Sequence, residues 1–406
     1  MMTPVVKGYT SLLVIIILAV AGFIFGLRSC LSRYDEREAI PQVLYFKNDT
    51  SSVLFSLVKY TKVNSYSNTG GFTRKTISEY YYVQCNNAIT GEKINSRKVA
   101  ADVKNFPEKI LGAEGRHAWA FVNELMAFDA FSLAKVADVK MIEAKNPLLK
   151  GMMPNASQYY EFNDSAKGIV FKTNDGAKWL IHSNTLIAQP YVEPQKLNNK
   201  TQAEKLASNL QDRLKDLRKT GLAFNQLQVN QDTFNHQWLG LYSKGEIETI
   251  NTMLSFTSHY GQDERRQFYN ATYGLSRYER FEFDKPVLQV STANTYYLNG
   301  GFLADKETGK AIHLSDPTGY MMIYKKVIGA EGEIFISHIS QEGKTFWELN
   351  TGVKKWVDYY FAGNILFIFA NDNKAIDSGN CSILLIVDCQ TGSVKRYDYF
   401  KDQMRQ

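Results

Sequence analysis

One short signature recurs along this chain and constrains its fold more than any other feature. Asp388-Cys-Gln-Thr391-Gly392, set within LLIVDCQTGSVKRY, has counterparts in Asp305-Lys-Glu-Thr308-Gly309, Glu348-Leu-Asn-Thr351-Gly352 and Asn87-Ala-Ile-Thr90-Gly91, and Asp129-Ala-Phe-Ser132-Leu133 is a degenerate fifth copy. The chemistry is local. An Asp, Asn or Glu side chain opening a turn accepts a hydrogen bond from a backbone N–H further along, Thr or Ser does the same, and Gly supplies the positive φ that closes the turn. The role expected of all five copies is a hairpin device rather than a ligand contact.

The copies start at 87, 129, 305, 348 and 388, so the short intervals are 42, 43 and 40 residues and the long one, 176, is close to four such steps. Short segments rich in Val, Ile, Tyr and Phe surround them, which are strand signals. A period of roughly 40 to 45 residues built from short strands marks four-stranded propeller blades. One twisted blade cannot bury both faces, whereas a ring of blades covers each face with its neighbour. The expected fold is mainly β: a β-propeller of about seven blades, between six and eight, over 41–406, with a helical insertion and an N-terminal transmembrane helix.

The insertion is expected across 198–261. Thr201-Gln-Ala-Glu204 forms a capping box, Leu206, Leu210, Leu214 and Leu217 follow at helical spacing, and Gly221 is placed to end the helix. A second box, Ser243-Lys-Gly-Glu246, opens a shorter helix with Ile247, Ile250 and Leu254 on one face.

At the other extreme of polarity, Leu12 to Leu27 (LLVIIILAVAGFIFGL) carries no polar side chain. A helix needs about 20 residues to cross the hydrocarbon core, so residues 1–31 are expected to anchor the chain in a membrane and 32–40 to act as a linker. A permanent anchor is favoured over a cleaved signal and over a lipoprotein signal ending at Cys30, against which Arg28 places a charge where lipoprotein cleavage sites carry a small residue. Arg28, Arg33 and Arg37 on the far side favour a cytoplasmic domain. A short tail before one large domain favours export, and an extracytoplasmic domain is the expectation.

Composition narrows the function classes. Lys and Arg exceed Asp and Glu by only 47 to 41 in 406 residues, without basic runs, so a nucleic-acid surface is not expected. The histidines, His117, His182, His236, His259, His313 and His338, show no metal-ligand spacing, the four cysteines form no CxxC pair, and no nucleophile elbow, phosphate loop or dinucleotide fingerprint occurs. No catalytic residue, metal or cofactor is therefore assigned, and the small-molecule ligand is unknown. Four features are weighed individually. Arg265-Arg266 reads as a solvated turn before an anion site. Tyr80-Tyr81-Tyr82, pointing to alternate faces of a strand, reads as packing before a stacking platform. Asn299-Gly300-Gly301 reads as a bulge before a ligand contact. Cys85 reads as an ordinary cysteine before a closure disulfide with Cys381 or Cys389, which would need the ring to close between its ends.

DKETGK (Asp305 to Lys310) and Asp388 to Gly392 resemble the blades of pyrroloquinoline-quinone-type propellers. That family's docking Ala lies two before the Asp and a Trp follows its TGK, whereas here Ala304 adjoins Asp305 and no Trp follows Lys310. Its quinone-binding adjacent cysteines and calcium ligands have no counterpart, which speaks against dehydrogenase activity. The stretch from Tyr296 to Leu349, together with WLGLYS (Trp238 to Ser243), is similar to a group of uncharacterised bacterial proteins with an N-terminal membrane segment. That resemblance implies a propeller-like domain on an anchor and carries no activity. The expectation is a membrane-anchored binding or scaffold protein of the cell envelope, in contact with the membrane through Leu12 to Leu27 and with a protein partner. The alternative is an envelope hydrolase or oxidoreductase with its site in the central channel.

Overall fold

A computed structural model describes residues 36–69, 72–103, 107–193, 219–220, 223–224, 226–231, 235–245, 247, 265–274, 287–290, 295–306, 311–312, 314, 319–329, 331–371 and 380–405. The chain divides into two compact units, Met1–Asn48 with Val53–Asn86 and Lys93–Pro190, and Asp49–Ser52 with Asn87–Glu92 and Tyr191–Gln406. The expected anchor at 1–31 lies outside the described residues. Among those residues no helix is long and apolar enough to cross a membrane.

The first unit is built from three antiparallel meanders. The first runs in the order β1 (Glu36–Lys47), β2 (Ser52–Thr69), β3 (Phe72–Asn87), β4 (Lys93–Ala101). The second holds β5 (Lys109–Glu114), β6 (His117–Val122), β7 (Glu124–Asp129) and β8 (Lys135–Asp138). A short helix α1 (Val139–Lys145), capped by the Asp138 carboxylate accepting from Met141 N at 2.9 Å, leads toward the third. That third meander holds β9 (Tyr160–Asn163), β10 (Gly168–Lys172), β11 (Lys178–His182) and β12 (Ala188–Pro190).

Burial explains why these strands read as they do. Central strands such as β6, HAWAFV, are apolar at nearly every position and buried on both faces, whereas the edge strand β4, KINSRKVAA, is exposed along most of its length. Along β6 the faces separate by parity. Ala118 and Val122 join Phe55, Tyr81 and Val83 of the first meander, while Trp119 and Phe121 join Tyr160, Ile169 and Phe171 of the third. The second sheet is thus sandwiched between its two sequence neighbours.

The second unit repeats this logic with one splice. Its ten-stranded sheet contains β13 (Lys219–Thr220), β14 (Ala223–Phe224), β15 (Gln226–Gln231), β16 (Asn235–Tyr242), β17 (Arg265–Gly274), β18 (Val287–Val290), β19 (Tyr297–Leu303), β20 (Tyr320–Lys325), β21 (Ile334–Ile339) and β22 (Thr345–Asn350). The strands β15 to β18 and β19 to β22 are two meanders joined because one edge of β17 serves two partners, pairing Tyr269–Thr272 with β18 and Arg265 and Arg266 with Leu298 and Tyr297 of β19. The last sheet is β23 (Lys355–Ala362), β24 (Ile365–Asn371), β25 (Ile383–Asp388), β26 (Val394–Asp398) and β27 (Gln403–Arg405). Parity again divides the middle sheet. Met321 and Ile323 of β20 pack with Leu366, Ile368 and Leu385 of the last sheet, and Met322 and Tyr324 pack with Leu239, Leu241 and Phe268 of the preceding meander.

These strands correct the expectation of helix across 198–261, because residues 219–242 carry β13 to β16. QLQVNQ and NHQWLGLY pair along their length, from Gln226 opposite Gly240 to Gln231 opposite His236. Tertiary pairing here outweighs the local helix signals on either side. Lys244, Gly245 and Ile247 begin a helical turn, with Ile247 N donating to Ser243 O at 3.1 Å. The helix expected from Thr201 falls outside the described residues. Among those residues the sheets stay separate apart from the β17–β19 splice.

Candidate functional site

Three of the five signature copies make the same turn between the third and fourth strands of a meander. In Asn87–Gly91 the Asn87 side-chain oxygen accepts from Ile89 N and Thr90 N, both at 2.8 Å, and Gly91 N donates to Asn87 O at 2.9 Å. Asp129 accepts from Phe131 N (3.2 Å) and Ser132 N (2.8 Å) in the same manner, and Asp388 from Gln390 N and Thr391 N, both at 2.9 Å. The closing residue is left-handed in each: Gly91 at φ 80°, Leu133 at 56° and Gly392 at 73°.

The other two copies differ. Asp305 follows β19, in the connection to β20, and Thr308 and Gly309 lie outside the described residues. Glu348 lies on β22, and Thr351 and Gly352 belong to the crossover that leads from it to β23 in a different sheet. A copy that the sequence reading missed, His182-Ser-Asn-Thr185-Leu186, occupies the third-to-fourth turn of the third meander. Leu186 N donates to His182 O at 2.8 Å, Ile187 N donates to Thr185 Oγ1 at 3.3 Å, and Leu186 sits at φ 61°. Its signal was Thr-Leu, parallel to Ser132-Leu133, hidden because His replaces the acceptor side chain.

The crossover copy borders a cavity. Thr351 Oγ1 donates to Ile334 O at 2.7 Å, Ile334 N donates to Val353 O at 2.8 Å, and Asn350 Oδ1 accepts from Gly352 N at 2.9 Å. This clamp delivers Lys354, Lys355 and Trp356 to the end of β20, where a cavity of about 380 Å³ opens within the second unit. Ile323, Tyr324, Ile334 and Trp356 form its apolar lining, and Asn299, Lys325, Lys354 and Lys355 its polar lining.

Three of the lining groups are held from behind. Asn299 stands at φ 50° in a bulge where the β19–β20 register shifts between Leu298 and Gly301, so the Asn-Gly-Gly motif is a bulge whose first residue also faces the cavity. A Cβ on Gly301 would lie 2.5 Å from Ala223 Cβ, which explains the glycine. The Tyr324 hydroxyl contacts Ser337 Oγ at 2.8 Å and donates to Glu348, which also pairs with Lys326. Burial raises the Glu348 pKa, but hydrogen bonds from Lys326 and Tyr324 outweigh it and hold the carboxyl below its usual range. Trp356 stacks on Tyr359 with centroids 5.8 Å apart, and the Tyr359 hydroxyl donates to Ala304 O at 2.6 Å.

The remaining expected residues are distributed elsewhere. Tyr81 is fully buried, while Tyr80 lies between the Tyr60 ring at 6.0 Å and Lys98 Nζ at 4.2 Å. Arg265 is exposed and Arg266 is buried. His117 Nδ1 lies 3.4 Å from Ser183 O, beside the Trp119 Nε1 to Ser183 Oγ bond of 3.0 Å. His338 is fully buried against the rings of Phe346 and Trp347, with no hydrogen-bond partner at either ring nitrogen. His236 lies on β16, and His259 and His313 are outside the described residues. Cys85, Cys381 and Cys389 are buried and carry no disulfide, so the closure bond is not formed. Among the described residues no group of three or more His, Cys, Asp or Glu side chains is placed to hold a metal.

No protein-family model matches the sequence, and no curated protein matches it. Solved structures similar to the chain include HIRA(644-1017), at 12% identity and a TM-score of 0.19 over 39% of this chain and 55% of that one. The chain therefore spans little more than half of that match. Others are the β-propeller domain of the Trilobed protease from Pyrococcus furiosus, at 9% identity and a TM-score of 0.23 over 88% and 83%, and BamB from Moraxella catarrhalis, at 10% and 0.18 over 89% and 87%.

Proposed function

We propose that the chain is a propeller-like binding or scaffold protein of the cell envelope. Its N-terminal apolar segment holds it at the membrane, its β-domain is extracytoplasmic, and its turns and crossovers are presented to a protein partner. The observation that carries this reading is the stacking order: within each unit three successive meanders pack face to face, the middle one covered on both sides by its sequence neighbours. Such stacking is how a propeller buries sheets that could not stand alone, and propellers commonly serve as rigid platforms. The apolar run from Leu12 to Leu27 supports the anchor, being long enough to span with its flanks.

The test uses the tagged full chain in cells. After an alkaline carbonate wash it is expected in the membrane pellet, external protease on spheroplasts is expected to digest the β-domain, and formaldehyde crosslinking is expected to trap one dominant envelope protein. Removal of residues 1–31 is expected to release the chain from the pellet. Full solubility of the intact chain would overturn the anchor, protection from protease would reverse the orientation, and absence of a specific crosslink would sink the scaffold role.

A further inference from the structure

The cavity beside Asn299 concentrates positive charge to an extent its surroundings do not neutralise. Of its three lysines, Lys354 pairs with Glu331, whose side chain is 71% exposed. Lys325 donates to the Gly329 carbonyl at 3.1 Å, and neither it nor Lys355 has a carboxylate partner among the described residues. Glu348 of β22 is already taken by Lys326 and Tyr324. An exposed pair such as Lys354–Glu331 is weak, so a bound anion readily competes with it.

The rest of the lining is apolar and fixed in advance. Ile323, Ile334 and Tyr324 are buried, and Trp356 is half-buried and stacked from one side by Tyr359. The Thr351–Ile334 clamp sets where Lys354 to Trp356 begin. Asn299, held left-handed at φ 50°, brings a side-chain amide that both donates and accepts. Strained backbone of this kind gathers at ligand sites, and a site whose groups are already positioned loses less on binding. A volume of about 380 Å³ suits one small molecule rather than a chain segment.

We propose that this cavity binds a small organic anion with a flat ring, its phosphate or carboxylate group received by Lys325, Lys354 and Lys355 and its ring set against Trp356. The proposal deepens the binding-protein reading by naming a ligand class. It is independent of the anchor and partner tests, whose outcomes a failure here would leave unchanged.

The experiment is calorimetric titration of the detergent-solubilised full chain with phenyl phosphate, with benzoate as the carboxylate arm and with inorganic phosphate and phenol as half-ligands. Phenyl phosphate or benzoate is expected to bind at least about tenfold more tightly than either half-ligand. Lys355→Gln is expected to weaken binding about tenfold and Trp356→Leu to weaken the ring-bearing ligands alone. Glu331→Gln is expected to tighten binding a few-fold by removing a negative charge that competes with the ligand for Lys354, a gain that damaged folding cannot produce. Ring-bearing anions binding no better than phosphate or phenol would overturn the proposal, as would Lys355→Gln and Glu331→Gln variants that melt normally and bind like the parent. If Trp356→Leu fails to fold, the two exposed-residue variants decide alone.

Discussion

His338 sits where an imidazole has no polar company, between the Phe346 ring at 4.9 Å and the Trp347 ring at 6.0 Å, with Gly319 so close that an added Cβ would stand 2.5 Å from Nε2. Burial lowers its pKa below the ordinary value of 6.5, so in the fold the ring is neutral. The unfolded chain takes up a proton below about pH 6.5 that the folded chain refuses, and stability therefore rises with pH to a plateau above that value. The urea midpoint of the second unit, followed by labelling of the buried Cys389 as it opens, is expected to fall between pH 7.5 and 5.5. His338→Leu is expected to flatten that fall, and an unchanged slope in the variant would exclude His338 as its source. In the sequence this histidine was one of six without metal spacing, and nothing local marked it. Its character comes from strand pairing with Trp347, which only the register supplies. Lys354, Lys355 and Trp356 were overlooked for a similar reason: a cavity made by β19, β20, β21 and β23 has no contiguous motif, although Asn299-Gly300-Gly301 and the adjoining Thr351-Gly352 copy both flagged its neighbourhood.

At the level of the turn, the third-to-fourth strand connection can be taken apart by substitution. Asp388→Ala removes the acceptor for two backbone N–H groups in an exposed turn, a loss of about 1–2 kcal/mol. Gly392→Ala costs more. Its φ of 73° penalises any side chain by about 1–2 kcal/mol, and the new Cβ would lie 2.7 Å from Trp347 Cδ2, adding about 1–3 kcal/mol of overpacking because that indole is tied by Nε1 to Cys389 O at 2.9 Å. Denaturant unfolding of the two variants is expected to rank Gly392→Ala as the more destabilised, and the reverse order would mean that the side-chain acceptor holds the turn. These turns were legible because their hydrogen bonds close within five residues. Leu133 and Leu186 were harder to read, since buried leucines there tolerate the conformation that Gly takes elsewhere. The strands at 219–242 were illegible because capping boxes on both sides spoke for helix, and the pairing that decides otherwise reaches to β17 and β19.

For the whole molecule the two units carry separate reporters. Cys85 lies in the first and Cys381 and Cys389 in the second, all fully buried. Burial, with Asp129 nearby, pushes the Cys85 thiol up to about 11, and burial with Asp388 pushes Cys389 up to about 12, so neither is a nucleophile at neutral pH. In native protein these three are expected to resist maleimide labelling, with mass spectrometry locating their modification only as urea opens the unit that holds them. Lowering the pH to 5.5 is expected to advance the opening at Cys389 by the share due to His338 while leaving Cys85 in place, and equal shifts at both would show that the units unfold as one. The β17–β19 splice bears on ancestry as well as folding. A free-standing meander can be duplicated or deleted as a cassette, because its edges belong to itself. The two meanders from β15 to β22 share an edge, so losing either one would strip Arg265 and Arg266, or Leu298 and Tyr297, of their strand pairing, and the two are expected to be copied or lost as a pair.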